Sequence, residues 1–299
     1  MMRNAIAVSL AMLCSFGVAA EEIGSTLSKI KTDGVMVLGY RESSVPWSYI
    51  DSNSNQVVGY ARDISLQVVE AIKKKLNLPE LQLRSIPINA QNRISLMQNG
   101  TLDLECNATT NNAERRRQVA FSTTIAITET QLLTRKDSGI KSLKDLDGKS
   151  VVVTAGSTSE RFMRLYVQEH NMKTNVISAR DHSQSFVMLQ TNRAAAFFMD
   201  RDVLAALLSK AKDSDQYALT GEMPTKETLA CMMRKDDPQF KALVDATITQ
   251  LHLSGETERL YHKWFLEPIA PDGIVLNTPE SDAMKALFAH PSDKTFEDE

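Results

Sequence analysis

The sequence predicts an α/β chain of two lobes, the second inserted into the first through two hinge crossings. Three observations predict it. Short apolar runs of strand length alternate with segments of helical period along most of the chain. A second series of strand–helix steps begins after "SGIKSLKDLDGKS" (138–150). "QLLTRKD" (131–137) and "ACMMRKDD" (230–237) echo each other, one leading into that series and one leading out. Read as the crossings, they place lobe 1 at residues 21–134 plus 231–299 and lobe 2 at residues 135–230.

The elements follow in order. Arg3 precedes the uncharged, mostly apolar run "AIAVSLAMLCSFGVAA", which ends in small residues just before Glu21 and Glu22. This is the pattern of a secretory signal peptide over residues 1–20, and the run is shorter than the roughly 20 apolar residues a spanning helix needs. The protein is therefore expected to be exported. Cleavage removes Cys14 and leaves Cys106 and Cys231. An even pair in an exported chain permits one disulfide, and equally two buried thiols, because a sequence does not supply the Cα separation.

"GVMVLGY" reads as a buried strand, and "ARDISLQVVEAIKKKLNL" as a helix with Ile64, Val68, Val69 and Ile72 on one face. "LQLRSIPI" is a strand ending at Pro87, "AQNRISLMQNG" a short helix stopped by Gly100, and "TLDLEC" a strand. "NNAERRRQVA" is a polar helical turn and "TQLLTRKD" a strand. In the second series "SVVVTAG", "TNVISA", "AAAFFMD" and "YALTG" are strands. Between them lie the helices "STSERFMRLYVQEHN", opened by a capping box of Ser157 with Glu160, "HSQSFVMLQTNR" and "RDVLAALLSKAK". "PQFKALVDATITQLHLSGETERLYHKWF" packs back on lobe 1, and the polar tail from Pro271 is a surface wrap or a loose end.

Composition narrows the function. The chain has 299 residues, 42% hydrophobic, enough for roughly two domains. A net charge of −3 leaves no electrostatic footprint for nucleic acid. The sequence carries no GxSxG, HExxH or CxxC, and no GxGxxG after a strand. "DGKS" (147–150) resembles the end of a P-loop, but Leu143 stands where the glycine is required. His252 and His262 lack metal-ligand spacing and read as surface residues of amphipathic helices. No cofactor is implied.

What remains is a set of polar residues at strand ends and helix starts, where open α/β sheets bind ligands. Arg41 follows the first strand; Arg93 lies near the start of the helix after "LQLRSIPI"; Thr109, Thr110 and Arg115 follow "TLDLEC". Thr154, Ser157 and Thr158 follow "SVVV" at a helix N-terminus, whose free N–H groups favour an anion. His182 follows "TNVISA", and Asp200 ends "AAAFFMD". Any one of them alone reads as a surface residue; together they read as one cleft between facing lobes. A free amino acid needs a planar donor for its α-carboxylate, which Arg supplies, and an acid for its ammonium, which Asp200 supplies. Three arginines and a histidine against one Asp leave a positive surplus, which points to a second carboxylate on the ligand.

With those residues in view, the chain resembles the periplasmic glutamate/aspartate-binding proteins of ABC importers, in the polar amino-acid solute-binding family. The resemblance covers nearly the whole mature chain. It rests on "RESSVPWSYID", "QNRISLMQNGTLDLEC", "TTNNAERRRQVAFS", "VVVTAGSTSE", "ISARDHSQSF", "AFFMD" and "CMMRKDDPQFK". It implies a periplasmic, hinge-closing receptor that hands L-glutamate or L-aspartate to a membrane permease. It implies that Arg41, Arg93 and His182 hold the side-chain carboxylate, Thr110, Arg115 and Thr158 the α-carboxylate, and Asp200 the ammonium. Two positions depart from close relatives: Ala90 and Ala108 stand where a serine is usual. The protein is read as a monomeric binding protein and not an enzyme. Two alternatives stay open: a dehydratase-like periplasmic enzyme on the same fold, with Glu42 or Glu105 as its acid, and a ligand-carrier that reports to a sensor.

Overall fold

A computed structural model describes residues 24–298. The expected signal peptide and Cys14 lie outside the described residues. The chain opens with α1 (Ser25–Asp33), β1 (Val35–Tyr40), the short strands β2 (Ser43–Ser44), β3 (Ser48–Asp51) and β4 (Gln56–Val58), and α2 (Tyr60–Leu76). It continues through β5 (Gln82–Pro87), α3 (Arg93–Gln98), β6 (Leu104–Glu105), α4 (Ala113–Arg116) and the long β7 (Ala120–Arg135). The second series is β8 (Ser150–Thr154), α5 (Thr158–Glu169), β9 (Asn175–Ala179), α6 (His182–Gln190), β10 (Ala196–Asp200), α7 (Arg201–Lys210) and β11 (Tyr217–Thr220). Then come β12 (Lys226–Met233), α8 (Pro238–Leu253), α9 (Glu256–Phe265) and α10 (Asp282–Ala289).

The fold is two-lobed, with one strand shared between the lobes. In the first half, β1 lies between β5 and β6, parallel to both. Its Met36, Val37 and Leu38 are buried on both faces, as a central parallel strand requires. Ile64, Val68, Val69 and Ile72 of α2 are all buried, each worth about 1.5–3 kcal/mol of burial. In the second half, β8 pairs in parallel with β9 and β10. Strand β7 joins the halves. Its first part, to Glu129, pairs with β12, and from Thr130 onward it pairs with β10 and β11. Between β11 and β12 the chain returns from the later part of β7 to its first part. Both changes of partner therefore come earlier in the chain than the echoed segments. "QLLTRKD" lies wholly beyond the first change, and "ACMMRKDD" begins inside the first half-sheet.

Several local expectations change. The run "TLDLEC" forms only two residues of strand, because Asp103 completes the pairing with its side chain: Oδ2 accepts the Val37 N–H at 2.9 Å. The three-stranded sheet of β2, β3 and β4 has no counterpart among the predicted elements. It is held by Trp47, whose ring meets those of Tyr60 and Phe265 edge-on at 5.6 and 5.3 Å. His252 is buried, and its Nε2–H donates to the Thr124 carbonyl at 2.8 Å. At the start of α5, Ser157 Oγ accepts the Glu160 N–H as predicted, but the Glu160 carboxylate takes the Gly156 N–H at 2.7 Å.

The tail is packed, not loose: Met284, Leu287 and Phe288 of α10 are buried. Beyond them, Glu297 and Asp298 hold the Ala113 N–H and the Arg116 guanidinium. Cys106 and Cys231 are joined in a disulfide, which ties the end of β6 to β12. Among the described residues, no helix is long and apolar enough to cross a membrane.

Candidate functional site

The carboxyl ends of β1, β6, β8 and β10 converge where the halves meet, and their polar residues meet there too. Arg41 leaves β1 with its backbone N–H fixed by Ser48 Oγ at 3.1 Å. Its side chain is 3% exposed, and Nη2 lies 3.2 Å from Nε2 of His182 on the other half. A guanidinium only donates, so Nε2 accepts and the ring proton sits on Nδ1. That Nδ1–H points to Thr154 Oγ1 at 2.9 Å. Burial, with Arg41 and Arg93 beside it, holds the imidazole well below its ordinary pKa. His182 is therefore a neutral spacer behind Arg41, and the positive charge expected of it is absent.

Arg93, at the start of α3, is buried, and Nη1 donates to Thr109 Oγ1 at 2.5 Å. Thr109 in turn donates to the Glu105 carboxylate, its oxygen lying 2.9 Å from both carboxylate oxygens. The Nε of Arg93 is buried without a partner. Arg115 sits in the short α4, capped by Asn112, whose Oδ1 accepts the Arg115 N–H at 2.9 Å. Its guanidinium reaches the Thr110 carbonyl at 3.0 Å and, across the cleft, the Gly156 carbonyl at 3.4 Å. Burial, then the charge of Arg93, pushes the Arg115 guanidinium down to about 9 and that of Arg41 to about 10. Three cations are held together out of water at a cost that an anion between them would offset.

Asp200 closes β10 at 2% exposure, and its Oδ1 has no hydrogen-bond partner. Burial, then the nearby Glu227 and Asp202, pushes its carboxyl well above the usual range, while Arg115 and Arg93 pull the other way. Burial also pushes Glu105 up. Both shifts weaken the compensation these acids give the guanidiniums. Thr110 and Thr158, one from each half, lie 3.5 Å apart through their hydroxyls, and both donate to Glu227 Oε2. A cavity of about 360 Å³ opens beside Arg41, lined also by Asn89, Asn92, Arg180 and Asp181.

All seven expected residues, Arg41, Arg93, Thr110, Arg115, Thr158, His182 and Asp200, thus come to one place. Two buried carboxylates join them. Glu105 was weighed only as a catalytic acid, and here it is engaged by Thr109. Glu227 stands at a strand start in "PTKETLA", where a lone acid reads as a surface charge; its burial follows from the β7–β12 pairing. Glu42 is exposed. Ala108 is buried against the site, its carbonyl 3.5 Å from Arg93 Nη1. Gly156 needs its lack of a side chain. With φ +77°, an added Cβ would lie 2.9 Å from the backbone of Ala90 and Gln91 on the other half. Away from the cleft, Glu258, His262 and Glu280 bring three ligand-type atoms within 4.8 Å of one another, with His262 Nε2 already 2.6 Å from Glu280 Oε1.

Residues 36–267 match the family of bacterial extracellular solute-binding proteins, family 3. The glutamate/aspartate import solute-binding protein of Escherichia coli K12 is 50% identical over 300 residues, covering 99% of each chain. The L-glutamate/L-aspartate-binding protein of Pseudomonas aeruginosa PAO1 is 46% identical over 288 residues, covering 96% of this chain and 95% of the relative. Among solved structures, an ABC uptake transporter substrate-binding protein from Streptococcus pneumoniae with bound histidine superposes with a TM-score of 0.73. It is 23% identical, covering 83% of this chain and 99% of its own. An ancestral arginine-binding protein bound to arginine gives 0.70 at 24% identity, covering 78% and 98%. These likenesses establish the fold.

Proposed function

The chain belongs to the bacterial extracellular solute-binding proteins of family 3, and from that membership we propose that it captures glutamate or aspartate between its lobes and delivers it to an ABC-importer permease. The relatives of 50% and 46% identity carry that activity in their names. The observation that carries the reading here is the burial of three guanidiniums beside an Asp200 carboxylate oxygen that has no partner. In this reading Arg41 and Arg93 hold the distal carboxylate, with His182 positioning Arg41. Arg115, Thr110 and Thr158 hold the α-carboxylate, and Asp200 ionises against the ammonium. The chain acts by binding, without turnover, as a monomer in the periplasm after loss of residues 1–20. We take the lobes to divide where β7 changes partners, near residues 129–130, and between the end of β11 at Thr220 and the start of β12 at Lys226.

Calorimetric titration of protein unfolded and refolded to strip carried ligand tests this. Glutamate or aspartate should bind tightly, and glutamine, asparagine and succinate should bind at least about a hundredfold more weakly, since each leaves a buried charged group without its partner. Equal binding of glutamate and glutamine would overturn the dicarboxylic reading. Ala90 and Ala108 offer no hydroxyl, each absence worth roughly 0.5–1.5 kcal/mol toward the ligand.

Closure can be tested at Gly156. In Gly156→Ala the new Cβ meets backbone on the facing lobe, and the positive φ costs about 1–2 kcal/mol more in a residue with a side chain. Glutamate affinity should fall by about tenfold or more. The liganded protein should also scatter X-rays as a more extended particle. Unchanged affinity would mean that binding does not need this approach of the two halves.

A further inference from the structure

Glu227 has no place in the ligand assignments above, yet it occupies a point where three parts of the molecule meet. It is the second residue of β12, paired across from Thr128 of β7, and it is 9% exposed. Its Oε2 accepts from Thr110 of the first half and, at 3.0 Å, from Thr158 of the second. One oxygen of the return strand therefore fastens the two halves to each other. Parting the lobes must break at least one of these bonds, because Thr110 and Thr158 stand on opposite sides of the cleft. Arg115 to the Gly156 carbonyl at 3.4 Å and Arg41 to His182 at 3.2 Å also cross the cleft, but they belong to groups that a ligand would engage, and the ion pair of Arg161 with Glu114 crosses it at the solvent-exposed rim.

A hydroxyl has one proton to donate. The protons of Thr110 and Thr158 are committed to Glu227 in the closed form, so their side chains are not also donors to a ligand there. The main-chain N–H groups of both residues have no partner in the protein among the described residues. Thr158 is the first residue of α5, whose N–H cannot bond within the helix. The two threonines can thus serve Glu227 with their side chains and a carboxylate with their backbones.

We propose that Glu227 is the closure latch of this receptor: it sets how long a captured solute is held and takes no part in choosing it. The proposal rests on the acidic amino-acid reading only for its probe ligand. A charge-assisted hydrogen bond made solely in the closed form shifts the open–closed balance toward it, and the apparent affinity of every ligand that needs closure rises by the same factor.

The test compares wild type with Glu227→Ala, Glu227→Gln, Thr158→Val and the double variant Glu227→Ala/Thr158→Val, with glutamate and aspartate as probes. Glu227→Ala should release glutamate on the order of tenfold faster, with the association rate and the glutamate-to-aspartate affinity ratio unchanged. Glu227→Gln, which keeps an acceptor oxygen, should lie between. The double variant should lose no more hydroxyl-dependent closure than Glu227→Ala alone, because the Thr158 hydroxyl has then already lost its acceptor. An unchanged release rate would overturn the proposal. So would an altered glutamate-to-aspartate ratio, which would make Glu227 a specificity residue, or full additivity in the double variant. If Glu227→Ala fails to fold, the Gln and Val variants decide by the same readouts. If wild type binds neither acid, the ligand reading fails and small-angle scattering of the ligand-free proteins judges the latch alone. A larger radius of gyration in the Glu227 variants supports it, and an unchanged radius overturns it.

Discussion

Arg115→Ala should abolish measurable capture of glutamate and aspartate. The guanidinium is buried and donates from the first half of the fold to carbonyls on both sides of the cleft, Thr110 and Gly156. In the reading above it also receives the α-carboxylate, with which it pairs bidentately. Alanine leaves that carboxylate closed into the cleft without a counter-charge. Breaking one side of a buried ion pair costs about 3–5 kcal/mol, which is roughly two to three and a half decades in Kd. The folded protein should not suffer to match. Burial and the charge of Arg93 already push Arg115 down to about 9, so its removal relieves a desolvated cation and a like-charge neighbour. Calorimetry should therefore read no binding while the melting temperature of the ligand-free variant stays near that of wild type. Retained affinity within a few-fold would remove Arg115 from the site. Lost binding with an equal loss of ligand-free stability would make it a structural residue.

How far the site could be read from the sequence follows from which physics each residue obeys. Arg41, Arg93, Arg115, His182 and Asp200 were legible because β/α topology alone sends the residues after each strand to one edge of the sheet. Their number and order along the chain then implied a cleft. The electrostatic state was not legible. The sequence counted His182 as a positive charge, yet a neighbour that only donates fixes it as a neutral acceptor. It counted one acid, and burial brought in Glu105 and Glu227 from positions that look like ordinary surface charge. The changes of strand partner differ from the echoed segments for a related reason. "QLLTRKD" and "ACMMRKDD" repeat a pattern of apolar residues followed by charge, which marks the end of a buried strand, and a strand can end well past the point where its neighbour changes. Strands β2 to β4 are two to four residues long and show no period. The buried rings of Trp47 and Tyr49, packed on Tyr60, Phe265 and Trp264, hold them in place.

Arg41→Met should separate the dicarboxylic reading from a general amino-acid pocket. Methionine keeps most of the volume of the buried side chain and removes its charge, so the site should fill without collapse. Glutamate and aspartate should lose about 3 kcal/mol or more, roughly two decades, because their distal carboxylate then faces one guanidinium in place of two. Glutamine, already neutral at that end, should lose far less. Equal loss for glutamate and glutamine would make Arg41 a structural residue. The variant also changes its neighbour. His182 is held below its ordinary pKa first by burial and next by Arg41 and Arg93. Removing Arg41 takes away the larger of the two charge effects, so the His182 pKa rises toward the ordinary value near 6.5. A proton is then easier to place, with its positive charge, on a ring beside the methionine, against burial and the charge of Arg93. In wild type the imidazole stays neutral as pH falls through this window, and the distal carboxylate meets the same two guanidiniums throughout. In the variant, the gain of an imidazolium should partly restore glutamate affinity between about pH 7.5 and pH 5.5, while glutamine affinity stays flat. Titrations of both ligands at the two pH values, with the imidazole signals followed by NMR, would read the effect. An imidazole that NMR shows to gain its proton in Arg41→Met without any recovery of glutamate affinity would place His182 away from the distal carboxylate.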